Sequence, residues 1–317
     1  LVAIASCLGA VVTSNPASAE PLLIPADRIY TSPDAPPLSN GSILVSDRRI
    51  VSIADERSRM AVPADTRTSE CRGVVVAGFQ NSHVHLLGPL FDGAATKPAP
   101  ELERGVESML TRYGFTTVFD TGSDLANTVA IRSRIEKGDI RGPRILTAGW
   151  PIYPRDGIPS YLNDLPKRVL DQLRQPKSAA EARANVLENL SGGADGPKIY
   201  MVTSPSRNVE RSLGPEVARA VARQTHAGGK LLLAHPTNVA GIRAALEAGV
   251  DIIVHTTLGE ATPWDEALTR EMVKKKMSVI PTFKLWSYEL AKDNVPPEVV
   301  NRLVGATLAE LRSFVAA

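Results

Sequence analysis

The sequence predicts an α/β protein whose parallel strands alternate with helices, preceded by a small β-domain. Seven strand-length apolar runs recur between residues 74 and 282, and helical stretches fill the gaps between them. Such an alternation is typical of a parallel barrel or of a doubly wound sheet. No glycine-rich phosphate loop follows the first of these runs. We therefore expect the barrel.

The composition indicates a globular protein that acts on a small molecule or a short peptide. Of the 317 residues, 43% are hydrophobic and 22% are charged, which is ordinary for a folded domain. The formal net charge is +2 and aromatic residues make up 5% of the chain. Neither nucleic acid nor an acidic membrane surface is therefore an expected partner. Association into a homo-oligomer is left open.

The first 19 residues resemble the later part of a signal peptide. Residues 1–12 are apolar but too short to cross a bilayer of about 30 Å as a helix. The small residues 17–19, Ala-Ser-Ala, fit a signal peptidase site, so we expect export to the periplasm or the extracellular space. A lipoprotein signal at Cys7 is the alternative, and it is the one expected route to a membrane anchor. After cleavage at residue 19, Cys71 has no partner for an internal disulfide.

Residues 20–77 are predicted to form the small β-domain. Three strand-length runs, 22–24, 42–45 and 49–53, are separated by clusters of proline, glycine, asparagine and aspartate. The residues between the second and third runs are typical of a hairpin turn. A domain of this size is below the length at which a core alone is comfortably stable.

Residues 78–317 are predicted to form the barrel. The first apolar run, 74–77, is nearly continuous, which is typical of a strand buried on both faces. The sequence predicts seven strands, at 74–77, 116–119, 144–148, 198–202, 231–234, 251–254 and 278–282. Two of the intervening helices are marked by a first-turn proline at Pro215 and by a terminal glycine at Gly249.

The five histidines of the sequence are placed unevenly. Four of them lie at the carboxyl ends of predicted strands, where barrel enzymes keep their active sites. Alternate residues of a strand point the same way, so one pair can present two imidazoles to one ion. Neutral imidazole suits zinc and neighbouring first-row metals. We therefore predict metal ligands at His83, His85, His235 and His255, whereas His226 lies near the end of a helix.

Lys198 opens the fourth predicted strand. An unmodified ammonium carries only positive charge and cannot bind a metal ion. A lysine side chain that snorkels from a strand end is common. Among strand-end histidines, however, we favour a lysine whose amine is modified, for example by CO2 to a carbamate with two bridging oxygens.

These motifs resemble the amidohydrolase superfamily, in particular its secreted imidazolonepropionase-like and prolidase-like members. Segment 78–85, Gly-Phe-Gln-Asn-Ser-His-Val-His, is similar to the family motif Pro-Gly-φ-φ-Asp-x-His-x-His. Ala77 replaces the proline and Asn81 replaces the aspartate. Segment 195–199 is similar to the Asp-φ-x-Lys-φ segment that carries the carboxylated lysine. The resemblance covers the chain from about residue 21 to its end.

The resemblance implies a (β/α)8 barrel flanked by a small β-sandwich domain. It also implies two divalent metal ions, with zinc as the expected metal. A hydroxide that bridges the ions would cleave an amide, a cyclic amide or a dipeptide-like C–N bond. One ion would be held by His83 and His85 and the other by His235 and His255, with a carbamate on Lys198 between them.

Tyr200 lies on the same strand face as Lys198. We consider a hydrogen bond from its hydroxyl to a tetrahedral intermediate, with simple packing inside the barrel as the alternative.

The eighth strand of the family ends in an aspartate that binds one metal ion and acts as general acid and base. Here a helix with apolar positions between residues 300 and 314 follows the seventh strand, and Ala317 precedes any eighth strand. On this interpretation the sequence is a fragment, and the 317-residue chain alone is expected to be inactive. Two alternatives stay open: a non-catalytic relative that uses the fold for binding or assembly, and a mononuclear deaminase-like site without Lys198.

Overall fold

The computed structural model describes residues 20–70, 72–258 and 264–317. The predicted signal segment, residues 1–19, and Cys71 lie outside the described residues. The contacts of the chain divide it between Gly78 and Phe79 into two compact units. Each unit is described by itself.

The first unit contains one five-stranded sheet in its described part. Strand β1 pairs antiparallel with β2, which pairs antiparallel with β3, and β1 also pairs parallel with β4 and with β5. The strands are β1 Leu22–Ile29, β2 Leu38–Ser46, β3 Arg49–Ala54, β4 Arg67–Thr68 and β5 Val74–Val75. All three strand runs predicted before residue 54 are therefore present.

The turn between β2 and β3 is the predicted hairpin turn. Its two central residues, Asp47 and Arg48, have φ angles of 49° and 63°. Positive φ at both central positions is the geometry of a two-residue hairpin that matches the twist of its strands. The core of this unit is small: its central buried residues are Ala26, Ile29 and Ile43, and a few partly buried apolar residues pack against them.

The second unit contains seven parallel strands and one antiparallel hairpin in its described part. The parallel strands are β6 Phe79–Val84, β7 Phe115–Asp120, β8 Arg144–Thr147, β9 Lys198–Tyr200, β12 Leu233–His235, β13 Ile252–Val254 and β14 Ser278–Ile280. The hairpin is formed by β10 Val202–Ser206 and β11 Val209–Ser212. The hairpin was not predicted, and it follows directly after a shortened fourth strand.

The prediction that residues 74–77 form the first barrel strand is wrong. Val74 and Val75 pair with β1 in the first unit, and Val74 and Val76 are exposed rather than buried on both faces. The first parallel strand is β6, which begins at Phe79. A run of four apolar residues contains no information about which neighbouring strand it pairs with.

Helices fill the connections between the parallel strands, as predicted. The helices of the second unit are α1 Ala99–Met109, α2 Leu125–Glu136, α3 Lys167–Leu170, α4 Ala179–Ser191, α5 Pro215–Ala227, α6 Val239–Ala248, α7 Glu266–Lys274, α8 Phe283–Lys292 and α9 Pro297–Ala316. Short 3-10 turns occur at Thr111–Tyr113 and Ser160–Leu162. No helix of the described residues is both long enough and apolar enough to cross a membrane.

The parallel strands lie side by side in chain order. One sheet has the order β6-β7-β8 and the other has the order β9-β12-β13-β14. The segment after β8 joins them, because Ile152 donates its N–H to the Lys198 carbonyl and accepts from the Tyr200 N–H, at 2.9 and 2.8 Å. Helices pack over both sheets in two apolar clusters, one around Ile199 and Ile253 and one around Val118.

Candidate metal centre

The predicted ligands lie at one end of the strand series. His83 is the second-last residue of β6, and His85 follows that strand directly. His235 is the last residue of β12, and His255 directly follows β13. Lys198 pairs in register with Leu233, two residues before His235. Residues two apart on a strand point to the same face, so Lys198 and His235 lie on one face of the sheet. The long lysine side chain spans the two-residue distance along the strand direction.

The four strand-end histidines contact one another. The Nε2 atoms of His83 and His85 are 3.2 Å apart. The ring centroids of His83 and His255 are 4.7 Å apart, and those of His235 and His255 are 4.6 Å apart. The first and sixth parallel strands therefore end close together, which requires a strongly curved strand series.

His226 does not join this group. It lies in the last turn of α5, where its Nε2 is 2.8 Å from a carboxylate oxygen of Asp251. This placement agrees with its expected role outside the site.

The ring of His85 is fixed by a backbone carbonyl. Its Nδ1 lies 2.7 Å from the Gly122 carbonyl oxygen, which can only accept a hydrogen bond. Nδ1 therefore carries a proton, and in the neutral ring Nε2 has a free lone pair. This is the arrangement by which metal-binding histidines are usually oriented.

His255 is held in an uncommon backbone conformation. Its φ angle is 79°, in the left-handed region that costs a residue other than glycine about 1–3 kcal/mol. Its Nδ1 lies 2.6 Å from the hydroxyl of Thr282, and its N–H donates to the Ile280 carbonyl at 2.8 Å. The end of β14 thus supports the histidine that follows β13.

Several buried polar atoms in this cluster have no hydrogen-bond partner. They are Nζ of Lys198, Nδ1 of His83 and Nδ1 of His235. The Lys198 residue is 1% exposed. Unpaired polar atoms are uncommon in a protein interior, and a bound ion or ligand would supply the partners that these atoms lack.

Burial lowers the pKa of each of the four histidines. The positive charge of Lys198 lowers these pKa values further, and neighbouring imidazoles do the same for His83, His235 and His255. Burial also lowers the pKa of Lys198 to about 7, against the opposing effect of the Asp120 carboxylate. The cluster therefore presents neutral imidazoles and an amine that loses its proton easily, which is the state in which these groups bind metal ions or react with CO2.

The donor set fits divalent metal ions. Two nitrogen ligands of a tetrahedral zinc ion, each about 2.0–2.1 Å from it, lie about 3.3 Å apart, close to the 3.2 Å between the Nε2 atoms of His83 and His85. Within the described ranges, no three histidine, cysteine, aspartate or glutamate side chains form an ion site by themselves. A site with two histidines per ion and a shared, modified Lys198 does not contain three such side chains for either ion.

Tyr200 lies within the same cluster. Its ring stacks on His235 at a centroid distance of 4.6 Å and on Tyr153 at 4.5 Å, and Nζ of Lys198 lies 5.0 Å from its centroid. Burial and the adjacent Tyr153 raise the pKa of Tyr200, so its hydroxyl stays protonated. A protonated hydroxyl here can donate a hydrogen bond.

Asp120 is a site residue that the sequence analysis missed. It ends β7 and is fully buried, and its carboxylate accepts hydrogen bonds from the Ser123 hydroxyl at 2.7 Å and the Gly122 N–H at 3.2 Å. Ser123 in turn accepts from the N–H of Leu86 at 3.0 Å. Asp120 therefore fixes both the carbonyl that orients His85 and the chain that follows His85. An acidic residue directly after a buried strand was the available signal.

Among the comparisons with known proteins, only the comparison of structures finds similar proteins. No family model matches the sequence, and no curated relative matches it either. Ochratoxinase of A. niger is 21% identical with a TM-score of 0.69, over 93% of this chain and 72% of that one. An amidohydrolase is 25% identical with a TM-score of 0.69, over 93% and 76%. A prolidase in complex with N-methylphosphonate-L-proline is 22% identical with a TM-score of 0.69, over 93% and 76%.

The chain is a mixed α/β protein with parallel sheets, and its structure matches these solved structures over more than nine-tenths of its length. The chain therefore has the fold of the amidohydrolase superfamily. The resemblance drawn from the motifs is confirmed at this level.

Proposed function

We propose that this protein is a metal-dependent hydrolase that cleaves a C–N bond in a small molecule or a short peptide. The observation that carries the proposal is the convergence of four imidazoles at the ends of strands, next to the buried, unpaired amine of Lys198. Titratable groups without hydrogen-bond partners rarely cluster in a protein interior unless they form a functional site. The names of the similar structures, amidohydrolase and prolidase among them, support the same class of reaction.

Two pairs of histidines would hold two divalent ions, zinc being the expected metal. One pair is His83 with His85, and the other is His235 with His255. When bound, such ions would make hydroxide available near neutral pH and polarise the scissile carbonyl.

Lys198 would act as the ligand shared by both ions. Its neutral amine would add CO2 and release one proton, which leaves a carbamate with two oxygens. The unpaired, buried Nζ supports this role, because an unmodified ammonium here would lack any acceptor and would repel the ions.

The remaining residues would orient the ligands and the substrate. The Gly122 carbonyl keeps Nε2 of His85 free of a proton, and Thr282 fixes the ring of His255. Tyr200, protonated and beside Lys198, would donate a hydrogen bond to the substrate oxygen as charge develops there.

Metal analysis combined with a hydrolysis screen tests the proposal. We expect the purified protein to contain about two zinc ions per chain, the number that the four histidines and Lys198 can bind. It should also hydrolyse members of a panel of amides, cyclic amides and dipeptides. A His226→Ala variant, altered outside the cluster, should keep both properties, whereas His235→Ala should lose about one ion per chain together with the turnover.

Each other outcome identifies an alternative. A ratio near one in active protein would favour the mononuclear deaminase-like site. Full metal content without turnover on any C–N substrate would favour a non-catalytic relative.

A further inference from the structure

Helix α9 carries a buried glutamate that contacts the loop after β13. Glu310 is 1% exposed. One carboxylate oxygen accepts from the N–H of Thr257 at 2.9 Å, and the other accepts a short hydrogen bond from the Thr257 hydroxyl. Burying a carboxylate is costly unless donors offset the loss of hydration, and Thr257 supplies two donors at once.

Thr257 lies two residues after His255, the residue with the left-handed backbone. Other parts of the chain also hold this loop. Trp286 of α8 donates to the Thr256 hydroxyl at 3.1 Å, and Trp264 donates to the Thr257 hydroxyl at 3.0 Å. A left-handed residue other than glycine persists only where its surroundings fix it from several sides.

We propose that Glu310 is a positioning residue, which holds Thr257 and thereby keeps the imidazole of His255 aimed at the metal centre. The inference rests on the proposed function only in taking His255 as a metal ligand. A carboxylate is not needed to anchor the helix by itself, since apolar residues such as Phe314 already pack against the core. Its two oxygens match the two donors of Thr257, and this match is what an apolar residue could not supply.

Three variants separate positioning from simple packing. Glu310→Ala removes both acceptors. Glu310→Gln keeps one acceptor for the Thr257 N–H, and its amide can donate to the Thr257 hydroxyl, whose oxygen can accept more than one hydrogen bond. Thr307→Val is the matched control, because Thr307 is buried on the same helix but its hydroxyl donates to Val304 of that helix, at 2.8 Å.

We expect zinc affinity to fall about 10–100-fold in Glu310→Ala, as is typical when a group that orients a metal ligand is lost. Glu310→Gln should keep most of the affinity, and Thr307→Val should keep all of it while unfolding at lower temperature. In metal-free protein, amide hydrogen exchange at His255 and Thr257 should be faster in Glu310→Ala than in Thr307→Val.

The outcomes decide between the two roles. Equal zinc affinity and equal exchange at His255 in Glu310→Ala and Thr307→Val would overturn the proposal. If Glu310→Ala does not fold, Thr257→Val takes its place, because it removes the hydroxyl that donates to Glu310. Unchanged zinc affinity and unchanged exchange at His255 in that variant also overturn the proposal. A third outcome is that neither the parent protein nor any variant binds zinc, while amide exchange at His255 and Thr257 is faster in Glu310→Ala alone. The positioning role of Glu310 then stands, and the proposed metal site fails.

Discussion

At the scale of the residue, Lys198 gives the sharpest chemical prediction. We expect Lys198→Ala to lose at least one metal ion and to lower the rate of hydrolysis by roughly two or more orders of magnitude, because a ligand to both ions is removed. Short carboxylic acids such as acetate should restore part of both properties by taking the place of the carbamate. Metal content and turnover, each measured with and without added acid, check this.

The control for that variant is another lysine. Lys275 is exposed at the carboxyl end of α7, and Lys275→Ala should bind metal and turn over as the parent protein does, with no response to acid. Parent-like metal content and activity in Lys198→Ala would rule out the carbamate.

The identity of the clustered residues could be predicted from the sequence because of one regularity. Parallel strands end at a common edge, so polar residues that directly follow apolar runs meet there. This regularity alone predicts the meeting of the four histidines, and Lys198 and Tyr200 lie beside them in the structure. Their roles as ligands stay predictions.

Two supporting carboxylates were missed, and only Asp120 directly follows an apolar run. Asp120 ends a strand, but nothing in its own segment says that Gly122 and Ser123 turn back to donate to it. Glu310 lies among the apolar positions of a helix, where its partner Thr257 is 53 residues away. Contacts between residues so far apart in the sequence depend on tertiary packing, which local sequence patterns do not predict.

At the scale of the element, the first turn of helix α6 packs closely against the loop that follows His235. A side chain at Gly241, in the first turn of α6, would overlap the carbonyl of Pro236, the residue after His235. We expect Gly241→Ala to destabilise the protein by about 1–3 kcal/mol, as overpacking does. It should also weaken zinc binding, because the overlap displaces the chain next to His235.

A second helical glycine provides the comparison. Gly305, within α9, has nothing within 4 Å of the position that a side chain would take. Gly305→Ala should therefore stabilise the protein by up to about 1 kcal/mol through helix propensity. Urea denaturation and zinc titration of both variants check the pair, and a Gly241→Ala protein as stable as Gly305→Ala would show that the loop moves freely.

The elements themselves were predicted unequally. The hairpin turn after β2 and the later parallel strands follow from turn residues and apolar runs, which are local signals. The pairing of Val74 and Val75 with β1, and the hairpin β10-β11, do not, because each depends on which partner the strand finds. Strand existence is thus more predictable than strand partnership.

At the scale of the whole molecule, metal binding should control stability. The proposed ligands come from β6, β9 and the ends of β12 and β13, so bound ions would connect strands across most of the second unit. Zinc at 100 times its Kd should stabilise the metal-free protein by about 2.7 kcal/mol, or roughly 5–10 °C in Tm. Thermal unfolding with and without zinc measures this.

Variants of two histidines make that measurement specific. His226→Ala should show the full rise in Tm, because His226 pairs with Asp251 away from the cluster. His235→Ala, which removes a proposed ligand of one of the two ions, should show only a part of it. An equal rise in both variants would mean that zinc binds elsewhere.

The spread of the cluster along the chain has a consequence for the order of events during synthesis. About 170 residues separate His83 from His255. At ribosomal rates of about 5–20 residues per second, the first pair of imidazoles leaves the ribosome roughly 10–30 s before His255 does. During that interval the nascent chain can offer an ion only two of the five proposed ligands until Lys198 emerges, and at most four until His255 does. With the proposed ligand set, metal capture would be a late step of biogenesis, which could not be completed until the sixth parallel strand has been made and has docked.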